Sequence, residues 1–153
     1  TMGSDLVVGA AAALAIHDPP LIIIDMGTAT TMTVIDREAR VLGGAIIPGV
    51  GISLEALANG TSQLPHISLD APKKCISTDT VEAMRSGSVY GTAAMLDGMI
   101  ERMEAELGEP AAVIATGGLG GCIIPYCRRE ITYDKNLLLN GLWALYQKNK
   151  RKR

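Results

Sequence analysis

The run Asp25, Met26, Gly27, Thr28, Ala29, Thr30, Thr31 sets a carboxylate beside a glycine and a cluster of small residues, three of them threonines. It follows the wholly apolar stretch Leu21 to Ile24, the pattern of a strand covered on both faces. An acid at the end of a buried strand, followed by such a turn, can present backbone amides and hydroxyls to an anion, and a phosphate suits that arrangement. Gly27 permits close backbone approach, Thr28, Thr30 and Thr31 offer donors, and Asp25 can hold a cation or a water rather than touch the phosphate. A tight hairpin with threonines present for their strand propensity explains the same residues, so spacing alone leaves both readings open.

Three further runs carry chemistry of a similar kind. Thr116, Gly117, Gly118 follows the last apolar strand, Ala111 to Ala115, where two glycines free the backbone to lie against a flat ligand or simply to turn. Gly43, Gly44, Ala45, Ile46, Ile47, Pro48, Gly49 can form a small-molecule pocket wall, although tight packing of strands against a helix accounts for its glycines equally. Asp5 opens an Ala-rich stretch, where an acid caps helix amides. His17 and His66 have no ligand-spaced partners, and no Ser/His/Asp or Cys/His arrangement can be assembled.

The elements that must position these runs follow from periodicity and punctuation. Ser4 to His17 predicts a buried helix ended by Pro19 and Pro20, and Leu21–Asp25, Thr30–Asp36 and Val41–Ile47 predict a three-stranded meander. A helix over about Ser53 to Ala58 precedes an irregular stretch, Asn59 to Lys74, which is long for a compact domain and points to a function or a partner surface. Thr78 to Glu106 reads as one long helix, with Thr78 or Asp79 ahead of Glu82 as a capping box and Gly87 and Gly91 as candidate bends. After the Ala111–Ala115 strand come a short helix around Leu119 to Cys127 and a closing helix from Asn136 to Gln147. That order describes an α/β layer, one domain in 153 residues.

Composition excludes several classes. Hydrophobic content of 48% with 20% charged residues is that of a chain that folds rather than one that stays disordered. With no Phe and 3% aromatics, base-stacking platforms are not expected. Five of the 14 basic groups lie in the last six residues, Lys148 to Arg153, read as a solvated tail rather than a nucleic-acid surface. Cys75, Cys122 and Cys127 form no CxxC and are odd in number, which points to reduced thiols in a cytoplasmic setting. The apolar stretches are too short to cross a bilayer, so no membrane association is expected.

Taken together, GSD at Gly3 to Asp5, DMGTATT at Asp25 to Thr31, GGAIIPG at Gly43 to Gly49, GTSQLP at Gly60 to Pro65 and TGG at Thr116 to Gly118 resemble, in order and spacing, the type III pantothenate kinases, over roughly the C-terminal three-fifths of that enzyme. The resemblance implies a ribonuclease-H-like domain, a mixed sheet flanked by helices forming the second half of an actin-like, sugar-kinase-like fold. It would occupy residues 1–147, with 148–153 as a basic tail. The implied activity is transfer of a phosphoryl group from ATP to pantothenate, the first step of coenzyme A synthesis, by a homodimer using Mg2+ and a monovalent cation, K+ or NH4+.

By the same resemblance Asp5 matches the general base and Asp25 the residue that helps hold the monovalent cation. Gly27, Thr28, Ala29 and Thr30 match a phosphate-binding turn, Gly117 and Gly118 the adenosine-binding segment, and Gly3, Gly43, Gly44 and Thr61 the pantothenate site, completed across the dimer interface. Leu6 stands where the family frequently has Arg, which withdraws a charge-assisted hold on the pantothenate carboxylate. The family's first, ATP-binding domain opens with an Asp-x-Gly-Asn-Thr loop whose acid holds Mg2+, and this sequence contains no such run. The expectation is therefore a C-terminal portion with little turnover by itself, since phosphoryl transfer needs positioning from both sides. The alternatives are a non-catalytic, nucleotide-binding regulator like the transcription accessory factors once assigned to this family, or a related kinase acting on another small substrate.

Overall fold

Because Leu21–Ile24 is apolar at every position, the strand it forms can be buried on both faces, and it becomes the middle of the sheet. The computed structural model describes residues 4–152, with side chains from Leu6 onward. Strand β1 (Leu21–Met26) pairs antiparallel with β2 (Ala29–Ile35), which pairs antiparallel with β3 (Val41–Pro48). On its other side β1 pairs parallel with β4 (Ala112–Thr116), which pairs parallel with β5 (Thr132–Tyr133), giving the order β3-β2-β1-β4-β5. The expected meander and the expected mixed sheet flanked by helices are both present.

Alternation along the strands divides the core in two. Leu21 and Ile23 of β1, with Ile35 and Ile114, pack against Ala10 and Ala13 of α1 (Ser4–Leu14) and Leu137 of α5 (Leu137–Lys150). Ile22, Ile24 and Met26 face the other way, toward Val89, Ala93, Leu96 and Ile100 of α3 (Thr80–Leu107) and Ile123 of α4 (Gly120–Ile123). With aromatics scarce, small and branched aliphatic side chains fill both layers. Leu96 and Ile100 are fully buried, and each such side chain contributes about 1.5–3 kcal/mol.

Several boundaries differ from expectation for local reasons. α1 leaves α-helical geometry after Leu14, and the last turn tightens, with the Ile16 and His17 amides both donating to the Ala13 carbonyl. α2 (Val50–Asn59) begins three residues before Ser53, directly after the extended Gly49. For α3 the cap is Asp79, whose carboxylate accepts from the Glu82 amide at 3.0 Å, and Gly108 closes the helix in the left-handed conformation at φ 81°. The helix continues through Gly87 and Gly91. The segment expected as one short helix divides into α4 and a 3-10 turn at Ile124–Tyr126 containing Pro125. α5 runs to Lys150 rather than Gln147, so Lys148 and Lys150 lie in its last turn, where cations meet the free carbonyls. β5 is too short to carry a sequence pattern and was not expected.

The segment between α2 and α3 contains no helix or strand, yet it is tied down. Arg85 of α3 pairs with Asp70 at 3.1 Å and with Glu82 at 2.8 Å, and the Ser86 hydroxyl donates to the Cys75 carbonyl. All three cysteines are free thiols.

α1 and α5 cross at their backbones. A Cβ added at Gly141 would lie 2.3 Å from the Ala12 carbonyl oxygen, and Ala12 is fully buried. Gly141→Ala is therefore expected to lower the unfolding free energy by about 1–3 kcal/mol, read as a drop in the urea midpoint. An unchanged midpoint would show that the two helices can separate at no cost.

Candidate functional site

β1 and β4 run parallel, and their carboxyl ends open at the same edge of the sheet, where α/β proteins place ligands. Asp25 is the penultimate residue of β1, and the turn Gly27–Thr28 returns the chain into β2, with the Gly27 amide donating to the Ala29 carbonyl at 3.1 Å. Two neighbouring segments press on this turn. A Cβ at Gly49 would lie 2.1 Å from the Thr28 carbonyl oxygen, and one at Gly117 would lie 2.5 Å from the Met26 carbonyl oxygen. Gly117 also has φ 99°, a conformation favouring glycine. Gly27 itself has room for a Cβ, its nearest neighbours being 3.8 and 3.9 Å away. The backbone closeness that demands glycine is thus at Gly49 and Gly117, around the turn rather than in it.

Register places hydroxyls beside the acid. Asp25 stands opposite Thr31 on β2 and opposite Thr116 on β4, so a Thr–Asp–Thr row crosses three strands on the face covered by α1. A cleft of about 260 Å³ opens there, lined by Asp25, Thr31, Thr33 and Thr116 from the sheet and by Leu6, Val8 and Gly9 from α1. Among the described residues Asp25 is the one charged residue lining it; the residue is exposed overall, and partial burial of its carboxyl raises it above its usual value. Among the described residues, one carboxylate with flanking hydroxyls and no basic side chain lining the cleft is a set of oxygens that could hold a small cation. Among the described residues there is no cluster of three or more His, Cys, Asp or Glu side chains able to hold a metal.

The remaining expected residues distribute as follows. Asp5 lies in the first turn of α1, one residue before cleft-lining Leu6; its side chain, like Gly3, lies outside the described residues. Of the expected phosphate turn, Gly27 and Thr28 form the turn itself while Ala29 and Thr30 begin β2, with the Thr30 side chain buried; Gly117 and Gly118 follow β4, Gly117 lying against Met26. Gly43 and Gly44 do not join them. They pair with Val34 and Thr33 further along β2, and with Met99 and Met103 they line a separate hollow of about 390 Å³ against α3. A Cβ at Gly44 would lie 1.8 Å from the Met32 carbonyl oxygen, so packing accounts for that glycine. Thr61 is exposed after α2, its hydroxyl donating to the Leu57 carbonyl at 2.9 Å and accepting from the Leu64 amide at 3.3 Å.

Sequence reasoning missed the support behind Thr116–Gly118. The Tyr133 hydroxyl donates to the Gly117 carbonyl at 2.7 Å. The chain leading to Tyr133 is clamped to α3: Asp97 accepts from the Arg128 and Arg129 amides at 2.8 and 3.1 Å, and Glu104 receives two 2.8 Å bonds from the Arg129 guanidinium. Hydrogen bonding from Arg129, with a smaller share from the Ala111 amide and against the opposing effect of burial, holds the Glu104 carboxyl below its usual range. Nearby, burial first and then Asp97 push the Cys127 thiol up to about 12, which keeps it protonated and unreactive. A lone tyrosine after an irregular segment carries no periodic signal that could have marked it.

The model of the type III pantothenate kinase family matches residues 1–102. A type III pantothenate kinase of an Exiguobacterium species is 45% identical over 150 residues, covering 98% of this chain and 59% of the relative. Among solved structures, a Campylobacter jejuni protein assigned to the Baf family of transcriptional activators aligns over 99% of this chain and 68% of its own, with 25% identity and a TM-score of 0.64. The Alp12 filament structure aligns over 94% of this chain and 52% of its own at 16% identity and a TM-score of 0.58, a likeness of fold. The fold is therefore that of the actin-like, sugar-kinase-like class. Within that class, the chain belongs to the type III pantothenate kinase family. It spans 58–59% of the length of the curated relatives it matches.

The raised Asp25 carboxyl has a consequence for stability. A carboxyl raised above its unfolded value holds its proton more tightly when folded, so its charge opposes folding once pH rises through that range. In cation-free buffer Asp25→Asn should melt at or above the wild-type temperature near neutral pH, with the gap closing in acid below the usual carboxylate range. A variant that melts lower at neutral pH would show that the Asp25 charge stabilises the fold.

Proposed function

We propose that this chain is the C-terminal, substrate- and phosphate-holding portion of an ATP-dependent pantothenate kinase. The observation carrying this reading is the convergence of Asp25, the Gly27–Thr30 turn, Thr116–Gly118 and the first turn of α1 on one edge of the sheet, in a chain of this family. In the reaction, the terminal hydroxyl oxygen of pantothenate attacks the γ-phosphorus of ATP in line. The bond to the ADP oxygen breaks, and the hydroxyl proton passes to the Asp5 carboxylate. The backbone of Gly27–Thr30 and the exposed Thr28 hydroxyl would hold phosphate oxygens, Gly117 and Gly118 would lie against the adenosine, and Gly3, Gly43, Gly44 and Thr61 would serve pantothenate across a homodimer. Asp25, with Thr31 and Thr116 beside it, would hold K+ or NH4+, while Mg2+ on the ATP phosphates supplies charge neutralisation.

The share of the relatives' length not spanned by this chain would supply the ATP-binding domain and the Mg2+-holding acid, so that the chain alone turns over little. An exposed apolar face is available to meet it, formed by Val7 and Val8 of α1 and by Leu138, Leu139, Leu142 and Trp143 of α5. A cytoplasmic location fits this role, and no described helix is long and apolar enough to cross a membrane. A second reading, a nucleotide-binding regulator, draws on the likeness to the Baf-family structure and on Leu6 in place of a basic residue. Pantothenate-dependent ADP release by the protein at its relatives' full length separates the two.

In that full-length protein, Asp5→Asn is expected to lower kcat by about 10²–10⁴-fold with an unchanged melting temperature. Retained turnover would remove Asp5 from the mechanism. Asp25→Asn is expected to lose the dependence of turnover on K+, and an undiminished K+ response would place the cation elsewhere.

A further inference from the structure

We infer that Tyr133 is a positioning residue for nucleotide binding, holding the Gly117–Gly121 turn in the conformation that presents Gly117 and Gly118 to ATP. The inference rests on the functional reading above, in which those glycines lie against the adenosine.

The turn is poorly held by its own composition. Four of its five residues are glycine, the residue with most conformational freedom to lose on folding, and Gly117 sits at φ 99° against the Met26 backbone. Within the turn the Gly120 amide donates to the Gly117 carbonyl at 3.2 Å. The shorter bond to that carbonyl, 2.7 Å, comes from the Tyr133 hydroxyl.

The ring completes the support. A Cβ at Gly120 would lie 2.4 Å from Cε2 of Tyr133, and one at Gly121 would lie 3.6 Å from Cε1, so the ring lies directly against the backbone of both glycines. Tyr133 is fixed in turn by pairing with Ala115 of β4 and by the Asp134 amide donating to the Ala115 carbonyl at 2.9 Å. The Asp97 and Glu104 clamps hold the approach to this two-residue strand. Tyr133 lines none of the Asp25 cleft and acts through the Gly117 carbonyl and the glycine backbone.

Tyr133→Phe keeps the ring and removes the hydroxyl. In the full-length kinase it should raise KM for ATP by about three- to tenfold, the worth of one part-buried hydrogen bond, leaving kcat and KM for pantothenate near wild type. In the chain itself it should accelerate amide exchange at residues 117–121 without changing the rest of β4. An unchanged KM for ATP overturns the inference, and so does an equal rise for both substrates, which marks a general structural role. Gly118→Val tests the underlying reading, because a Cβ there meets no protein atom within 4 Å. If Gly118→Val leaves KM for ATP unchanged, the nucleotide assignment of the turn has failed. The exchange measurement then decides the tyrosine's part, with unchanged exchange in Tyr133→Phe overturning it.

Discussion

The end of β1 depends on backbone meeting backbone. Gly49 closes on Thr28 and Gly117 on Met26 at separations that leave no space for a Cβ, and both contacts converge on the turn that follows Asp25. The two glycines belong to segments far apart in sequence, so steric exclusion at the turn adds to the sheet hydrogen bonds that already join β4 to β1 and β3 to β2. A close-packed interior transmits such a constraint with little give. The turn can therefore be short, glycine-bearing and rich in hydroxyls without losing its shape.

That rigidity gives the Asp25 charge its meaning. Flanked by two threonines, in a cleft with no basic side chain among the described residues, this carboxylate is partly buried and its ionised form is disfavoured. Ion pairs elsewhere, such as Arg129 with Glu104 or Arg85 with Glu82, show that the fold readily supplies a partner where it needs a neutralised acid. At Asp25 the neighbours across the strands are the threonines Thr31 and Thr116 instead.

The two faces of the sheet are built for different tasks. On the α3 face the long helix packs its buried aliphatics against β1, β2 and β4, while Asp97 and Glu104 tether the chain that returns as β5. On the α1 face the core is smaller, with Ala-rich α1 lying close enough to α5 that Gly141 meets Ala12. The same face carries the cleft and the exposed apolar residues of α1 and α5. One face carries the larger buried core, and the other a smaller core together with the cleft and exposed apolar side chains.

Local chemistry made much of this legible in the residues alone. The apolar run Leu21–Ile24 determined a central strand, the threonines after Gly27 a returning strand, Thr78 or Asp79 ahead of Glu82 the start of α3, and the five ordered motifs the family. What only the tertiary structure decided was which residues share a site. Gly43–Gly44 and Thr116–Gly118 read alike as glycine pairs, yet strand register carries the first pair toward α3 and brings the second beside Asp25, because a glycine is marked by contacts across strands that sequence spacing does not encode. Tyr133 shows the same limit: its importance arises from a two-residue parallel pairing and one hydrogen bond, both of which exist only once β4 has been placed next to β1.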